Sequence, residues 1–221
     1  MMSDISPTGP HQGQPVRTAG KPLHEARAAM ILLHGRGGDA GGILDLANLL
    51  PHPDFAYLAP QAAGNSWYPF SFLMPVAQNE PGLSSSLRVI ADLVDEVEAA
   101  GILAERIVFG GFSQGACLAS EFVARHARRY GGLLVFSGGL IGPPGTPRNY
   151  GGSLAGMPIF LGCSDVDTHI PRERVEETAV VFTTLGAQVI TKIYPNMGHT
   201  IIQDEINQAK RIVSSIEVQV L

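Results

Sequence analysis

Phe109-Gly110-Gly111-Phe112-Ser113-Gln114-Gly115 decides the fold, because it joins a short apolar run to an amphipathic one through a serine framed by glycines. Upstream, Ile107, Val108 and Phe109 suit a buried strand; downstream, Cys117 to Arg129 has the side chains and spacing of a helix. The Gly111 to Gly115 core matches G-x-S-x-G, a sharp strand-to-helix turn that pushes the serine hydroxyl outward. Glycines at 111 and 115 remove Cβ atoms where strand and helix converge, so Ser113 can adopt a strained backbone geometry. The start of the helix also offers free backbone N–H groups to an anion. Ser113 is therefore the candidate covalent nucleophile.

A serine hydroxyl is a weak nucleophile while it keeps its proton, so it needs a base, and the base needs an acid to fix its tautomer. Asp167 lies just beyond the apolar strand candidate Ile159 to Leu161, and His199 just beyond the strand candidate Val189 to Tyr194. Both side chains then emerge at the same carboxyl-terminal sheet edge as Ser113, in the chain order Ser, Asp, His. Asp165 stands as an alternative acid, and either aspartate can instead be a polar turn residue. His169 reads as a surface histidine and His34 as a structural neighbour of the loop described next. His11, His24, His52 and His126 have no comparable setting.

Ala28 to Leu33 is a second continuous apolar run, ending in His34-Gly35-Arg36-Gly37-Gly38-Asp39, and a helix-compatible pattern resumes from Ile43 to Leu50. The glycines allow tight curvature and an exposed backbone, so the N–H of Arg36 can face the N–H of Gln114. Two such donors make an oxyanion hole, which stabilises charge that develops only after attack. Nucleotide binding is the weaker reading, for there is neither G-x-G-x-x-G nor a Gly-Lys-Ser/Thr ending. The Arg36 side chain reads as solvated or structural, with attraction of an acidic substrate group as the alternative.

Between two element candidates lie Trp67, Tyr68, Phe70, Phe72, Leu73 and Met74, interrupted by Pro60, Pro69, Pro75 and Pro81. Core anchoring accounts for any one of these side chains, but as a group they are expected to help line an apolar substrate cleft. Met197, two residues before His199, is placed with Trp67, Tyr68, Phe70, Phe72 and Leu73 as a candidate substrate contact. No H-E-x-x-H or Cys/His cluster suggests zinc, and no paired carboxylates suggest glycoside hydrolysis. No cofactor or metal is expected.

At this point the chain resembles the phospholipase/carboxylesterase group of α/β-hydrolases, which also contains the acyl-protein thioesterases. The resemblance runs over roughly residues 27 to 218. It rests on Leu33 to Gly38, Ala59-Pro60 leading to Ser66-Trp67-Tyr68, the stretch around Gly82, Ile107 to Gly115, Asp167-x-x-Ile170-Pro171 and Gly198-His199. It implies an α/β-hydrolase fold and the triad Ser113, Asp167, His199, with Arg36 and Gln114 as oxyanion donors. It also implies hydrolysis of carboxylic esters, sometimes thioesters, without a cofactor. Acyl-protein thioesterases have Leu at the position of Arg36 and Asp at that of Gly38, so depalmitoylation transfers less securely than general esterase chemistry. The segment Ser66 to Pro75 looks more like the bacterial carboxylesterase branch, whose aromatic-rich loop contributes to the pocket.

Strand candidates at 28–33, 55–59, 106–110, 132–136, 158–162 and 188–194 are separated mostly by helical candidates, which predicts an α/β architecture with a mostly parallel central sheet and helices on both faces. Leu87, Ile90, Ala91, Val94 and Val97 form one helical stripe, and Ile202, Ile206, Ala209, Val213 and Ile216 another. Residues 138–156, with Pro143-Pro144 and several glycines, read as a loop beside the cleft. Residues 1–20, broken by Pro7, Gly9, Pro10, Gly13, Pro15 and Gly20, read as a flexible N-terminal extension without a secretory apolar region. Residues 21–221 read as a single catalytic domain.

Fifteen basic and twenty acidic side chains leave a formal charge of −5 without a basic block, which argues against nucleic-acid binding. No apolar run is long enough for stable membrane insertion. Cys117 and Cys163 both fall in or beside apolar elements, so buried thiols and a cytoplasmic setting are expected. The expected activity is that of a serine carboxylesterase acting on small or medium acyl esters through an acyl-enzyme. A thioesterase or lysophospholipase with the same triad is the nearest alternative, and a noncatalytic ligand-binding protein the more distant one. A homodimer is also expected, through the aromatic excursion or the sheet edge near Val189, Thr191 and Ile193.

Overall fold

The apolar runs are apolar at every position because the sheet they build is covered on both faces. A computed structural model of the chain describes residues 9–216. Its strands are β1 (Val16–Gly20), β2 (Ala28–Leu33), β3 (Phe55–Pro60), β4 (Ile107–Phe112), β5 (Gly132–Phe136), β6 (Pro158–Ser164) and β7 (Gln188–Tyr194). The helices are α1 (Ala40–Leu44), α2 (Leu46–Leu49), α3 (Gly82–Ala99), α4 (Gln114–Arg125), α5 (Arg172–Thr184) and α6 (Gln203–Ser214). The sheet order is β1-β3-β2-β4-β5-β6-β7, with β1 antiparallel to β3 and every other pair parallel.

Strand alternation divides the core into two layers. Ala29, Ile31, Leu33, Phe109 and Val135 pack with residues of α3, α4 and α5, such as Leu83, Ile90, Phe122 and Phe182. Ala28, Met30, Leu32, Val108 and Phe136 face the opposite way onto Ile43 and Leu46 of α1 and α2 and onto Ile206, Ala209 and Ile212 of α6. Fully burying one such aliphatic side chain is worth about 1.5–3 kcal/mol, so these layers hold the sheet edge rigid for the loops above it.

The six expected strands are present, but the N-terminal reading needs correction. Residues 16–20, expected to be flexible, form β1, in register from Val16 opposite Pro60 to Gly20 opposite Ala56. An edge strand is held by backbone hydrogen bonds, so it needs no sustained apolar face, and β1 is mostly exposed. Upstream of it, His11 is buried, donating from Nε2 to Trp67 O at 2.8 Å and accepting the Ala63 N–H on Nδ1 at 3.0 Å. The rest of the expected flexible extension, residues 1–8, lies outside the described residues, as do residues 217–221.

Helix limits also shift. The helix after the nucleophile turn begins at Gln114 rather than Cys117, because Ser113 itself is the N-cap. It ends at Arg125 rather than Arg129, where the His126 ring stacks on Phe122 and its Nδ1 meets Phe122 O. The expected helix from Ile43 to Leu50 is two short ones starting at Ala40, with Asp39 capping by accepting the Gly42 N–H at 2.9 Å.

Candidate active site

At Ser113 the chain turns from β4 into α4 with φ 54° and ψ −118°, a conformation that a non-glycine residue adopts only when its surroundings enforce it. The enforcement is visible on both sides. A Cβ on Gly111 would stand 2.5 Å from the Gly115 carbonyl carbon, and one on Gly115 would stand 2.1 Å from Leu33 O. The turn thus fits only because both positions are bare. Ser113 N–H donates to Phe136 O at 2.9 Å, and Ser113 O accepts the first helical bond from Cys117 at 3.0 Å.

The structure brings Ser113, His199 and Asp167 together across 86 and 32 residues of chain. His199 Nε2 lies 2.9 Å from Ser113 Oγ, and His199 Nδ1 lies 2.7 Å from Asp167 Oδ2. The Asp167 side chain is wholly buried. Its Oδ1 accepts the N–H groups of His169 at 2.8 Å and Ile170 at 3.0 Å, and its Oδ2 also receives the Cys163 thiol at 3.7 Å. Burial opposes the charge on this carboxyl, but the hydrogen bonds from His199, His169 and Ile170 outweigh it and hold the group below the usual range. An ionised carboxylate only accepts, so the Nδ1 proton sits between the pair and the Nε2 lone pair is left for the serine proton. An arrangement of this kind can take a proton from the hydroxyl as it attacks and return it later.

Asp165, the alternative acid, serves elsewhere: its Oδ1 accepts the Asn196 N–H at 2.8 Å and so ties the β6 loop to the loop that carries His199. His169 is exposed as expected, yet it stands edge-on to His199 at 4.8 Å between ring centroids and lines the cleft. His34 is the structural neighbour expected, buried, with Nε2 accepting the Ala62 N–H at 3.1 Å and Nδ1 donating to Gly35 O at 2.8 Å.

The loop after β2 lies against the nucleophile turn, since a Cβ on Gly35 would be 3.4 Å from Ser113 Cβ. Neither the Arg36 N–H nor the Gln114 N–H has a hydrogen-bond partner among the described residues. Their side chains are occupied, however. The Arg36 guanidinium donates to Ser66 Oγ, Tyr68 O, Pro69 O and Phe70 O at 2.6–2.9 Å, which favours the structural role for it. Gln114 accepts the Trp67 N–H at 2.9 Å and donates to Tyr68 O at 2.9 Å.

Ser113 opens into a cleft of about 590 Å³. Of the aromatic segment, Tyr68, Phe70 and Phe72 line it, with Phe70 53% exposed at its mouth. Trp67, Leu73 and Met197 do not, contrary to expectation. Trp67 is fully buried and donates from Nε1 to His34 O at 2.9 Å, which makes it a core anchor. Leu73 packs against the main core, and Met197 is buried away from the cleft. Phe112, His169 and Ile170 line the cleft although sequence reasoning did not assign them to it, and so does Cys117, whose place four residues after Ser113 puts it close to the site. Their spacing relative to Ser113 and Asp167 is the signal that could have found them. Cys117 and Cys163 are free, buried thiols pushed up to about 12 by burial, and so inert as nucleophiles. Among the described residues no group of three or more His, Cys, Asp or Glu side chains could hold a metal ion, and no helix is long and apolar enough to cross a membrane.

Fold and site together put the chain among the α/β-hydrolases. Residues 18–216 match the Phospholipase/Carboxylesterase family model, and the chain belongs to that family. It is 43% identical to a phospholipase/carboxylesterase from Dyadobacter fermentans of solved structure, with a TM-score of 0.89 and coverage of 92% of this chain and 97% of that one. Acyl-protein thioesterase 1 of Eremothecium gossypii is 28% identical over 222 residues, spanning 91% of this chain and 92% of its own. Lysophospholipase-like protein 1 of Mus musculus is 25% identical over 226 residues, spanning 93% and 87%.

Proposed function

We propose that this protein is a serine carboxylesterase that hydrolyses small or medium acyl esters through an acyl-enzyme. The observation that carries the reading is the unbroken hydrogen-bonded line from the strained Ser113 hydroxyl through His199 to Asp167, opening into an apolar-walled cleft. In acylation Ser113 Oγ attacks the ester carbonyl carbon while His199 Nε2 takes its proton, and Asp167 stabilises the imidazolium. The carbonyl oxygen becomes an oxyanion facing the N–H groups of Arg36 and Gln114. The carbon–oxygen bond to the alcohol then breaks, and the proton on His199 goes to the departing oxygen. Water repeats the sequence: His199 takes its proton, its oxygen bonds to the acyl carbon, and Ser113 leaves with the proton restored.

Ser113→Ala is expected to lower kcat by about 10⁴-fold or more while the thermal unfolding curve stays in place. Near-wild-type ester hydrolysis by the purified, folded variant would sink the assignment. Thioester or lysolipid hydrolysis by the same residues is the second reading, favoured by the thioesterase and lysophospholipase-like relatives. A panel of p-nitrophenyl esters, acyl-CoA and lysophospholipids separates the two. The continuous hydrogen-bonded line speaks against a noncatalytic binding protein, and a fluorophosphonate probe tests that alternative by labelling of Ser113.

A cytoplasmic setting belongs to the same proposal, supported by two buried, unpaired thiols. So does pairing of two chains. Trp67, Tyr68 and Phe72 are buried and leave Phe70 and Met74 as the exposed part of the aromatic segment, so the outer edge of β7, where Ile190 is 47% exposed, is the route we favour for pairing. Sedimentation over a concentration series tests it, with a monomer mass throughout as the contrary result.

A further inference from the structure

A second groove opens beside His199, and nothing in the reaction just described uses it. Its volume is about 430 Å³. Ile43 of α1, Leu46 and Leu49 of α2 and Ile201 beyond His199 supply its apolar wall. Ile43 and Leu46 are buried, whereas Leu49 is 46% exposed. Gly35, Phe112 and His199 line both this groove and the cleft that contains Ser113. The two spaces therefore meet at the imidazole, with the Phe112 ring 4.9 Å from it between centroids.

An ester has two arms, and the chemistry assigns each to a space. The acyl arm becomes bonded to Ser113 and remains so until water arrives, so it occupies the cleft that Ser113 itself lines. The alcohol arm ends in the oxygen that must receive the proton from His199 Nε2, so it needs a space that reaches the imidazole without displacing the acyl arm. The second groove shares His199 with the cleft in this way while excluding Ser113 from its own lining. Electrostatics narrows the ligand further. Two carboxylates, Asp39 and Asp45, stand among the residues of the groove, with no lysine or arginine to offset them.

We propose that this groove is the subsite for the alcohol arm of the substrate, and that it takes an apolar alcohol carrying no negative charge, neutral or cationic. The proposal rests on the esterase reading above and names the substrate class for it. In the step the groove serves, the bond from the tetrahedral carbon to the alcohol oxygen breaks and its electron pair stays on that oxygen. The proton that His199 took from Ser113 follows, and a neutral hydroxyl departs through the groove. Water then has an entry to the acyl carbon from the side of the imidazole. Leaving groups that carry phosphates, as in acyl-CoA and lysophospholipids, meet like charge at the two carboxylates and are disfavoured.

The test compares ratios of kcat/KM within one enzyme, so that a general loss of activity cancels. Leu49→Asp should lower the ratio of benzyl butyrate to methyl butyrate about tenfold, because a hydrophobic contact of this size changes discrimination by at least that much. Its ratio of methyl octanoate to methyl butyrate should stay at the wild-type value, and Phe70→Ala should give the opposite pattern. Leu49→Ala, which only trims the side chain, should show the same direction at about threefold if the aspartate variant does not fold. Asp45→Lys should lower the ratio of choline butyrate to its uncharged analogue 3,3-dimethylbutyl butyrate about threefold at low salt. A Leu49 variant that changes the acyl ratio, or neither ratio, overturns the subsite. An unchanged choline ratio overturns its charge preference. Failure of the esterase reading is seen separately, as methyl butyrate hydrolysis that survives Ser113→Ala.

Discussion

The turn at Ser113 and the aromatic segment of residues 66–72 border the same cleft but are held by opposite means. The turn is held locally: Gly111 and Gly115 have no side chains, and the backbones of β4, α4 and the β2 loop close directly on one another. The segment has little regular structure and is held from a distance. Arg36 gathers Ser66, Tyr68, Pro69 and Phe70, Gln114 fixes Trp67 and Tyr68, and buried Asn79 accepts the Phe70 N–H at 2.9 Å and donates to Ser71 O at 3.0 Å. Backbone contact tolerates almost no added volume, whereas a clamp of polar side chains fails piece by piece. Arg36 and Gln114 belong to both regions, since their N–H groups flank Ser113 and their side chains hold the segment.

The contrast breaks first at Gly115. Gly115→Ala would place a methyl group 2.1 Å from Leu33 O and 2.6 Å from His34 O. Backbone must move, and what moves is the loop that presents the Arg36 N–H. A displacement of about 1 Å in a positioned catalytic group costs on the order of 10²-fold, and overpacking adds about 3 kcal/mol of destabilisation. We expect kcat/KM to fall by about 10²- to 10³-fold with a lower unfolding midpoint, measured by steady-state kinetics and thermal denaturation. Activity within twofold of wild type would mean that the turn is not closed as tightly as described.

The second break is smaller and differs in kind. Arg36→Met keeps the backbone N–H but releases one hydroxyl and three carbonyls of the aromatic segment. Charge-assisted hydrogen bonds of this sort contribute about 1.5–3 kcal/mol each, and solvent replaces part of them. A loss of about 30- to 100-fold in kcat/KM follows, carried mostly by KM, with new protease cleavage between residues 66 and 72. Arg36→Lys should recover little, because one ammonium cannot reproduce the planar fork. If Arg36→Met leaves both KM and cleavage unchanged, the remaining contacts hold the segment without the guanidinium.

The same contrast explains what the sequence revealed. That Ser113, Asp167 and His199 come together was legible because each lies in the turn or loop just beyond a strand, one, three and five residues past its end, and the ends of parallel strands put such loops at one edge. The five covered strands β2 to β6 were legible from their continuous apolar runs. β1 was not, since its partner β3 supplies its stability through the backbone and its own side chains are mostly exposed. Nor were the distinct fates of Trp67, Tyr68 and Phe70. Composition marks all three as apolar, but orientation is set by partners far along the chain, such as His34 O for the Trp67 indole. The structural role of the Arg36 side chain was among the readings left open, and only the positions of its acceptors favour it.

Glu205 gives the smallest effect on turnover and the sharpest control, because it braces the chain beyond His199 much as Arg36 braces the aromatic segment. It is fully buried at the start of α6, where Oε2 accepts the Ile202 N–H at 2.9 Å and Oε1 has no partner among the described residues. Burial, with a smaller contribution from neighbouring Asp204, pushes its carboxyl from 4.5 up to about 7. The sign follows from proton counting. Between about pH 4.5 and about 7 the folded state keeps a proton that the unfolded chain releases, so stability falls as pH rises through that window and stays lower above it. Glu205→Gln has no such proton to lose and keeps an oxygen for Ile202. It should therefore match wild type near pH 4 and exceed it by about 3 kcal/mol near pH 8 in denaturant unfolding. Burial also lowers the pKa values of His11 and His34, which makes stability fall toward acid in both proteins, so the difference between the two curves isolates Glu205. A difference that is constant with pH would show that Glu205 carries the same charge in the folded and unfolded chain, and that the loop is braced by its hydrogen bond alone.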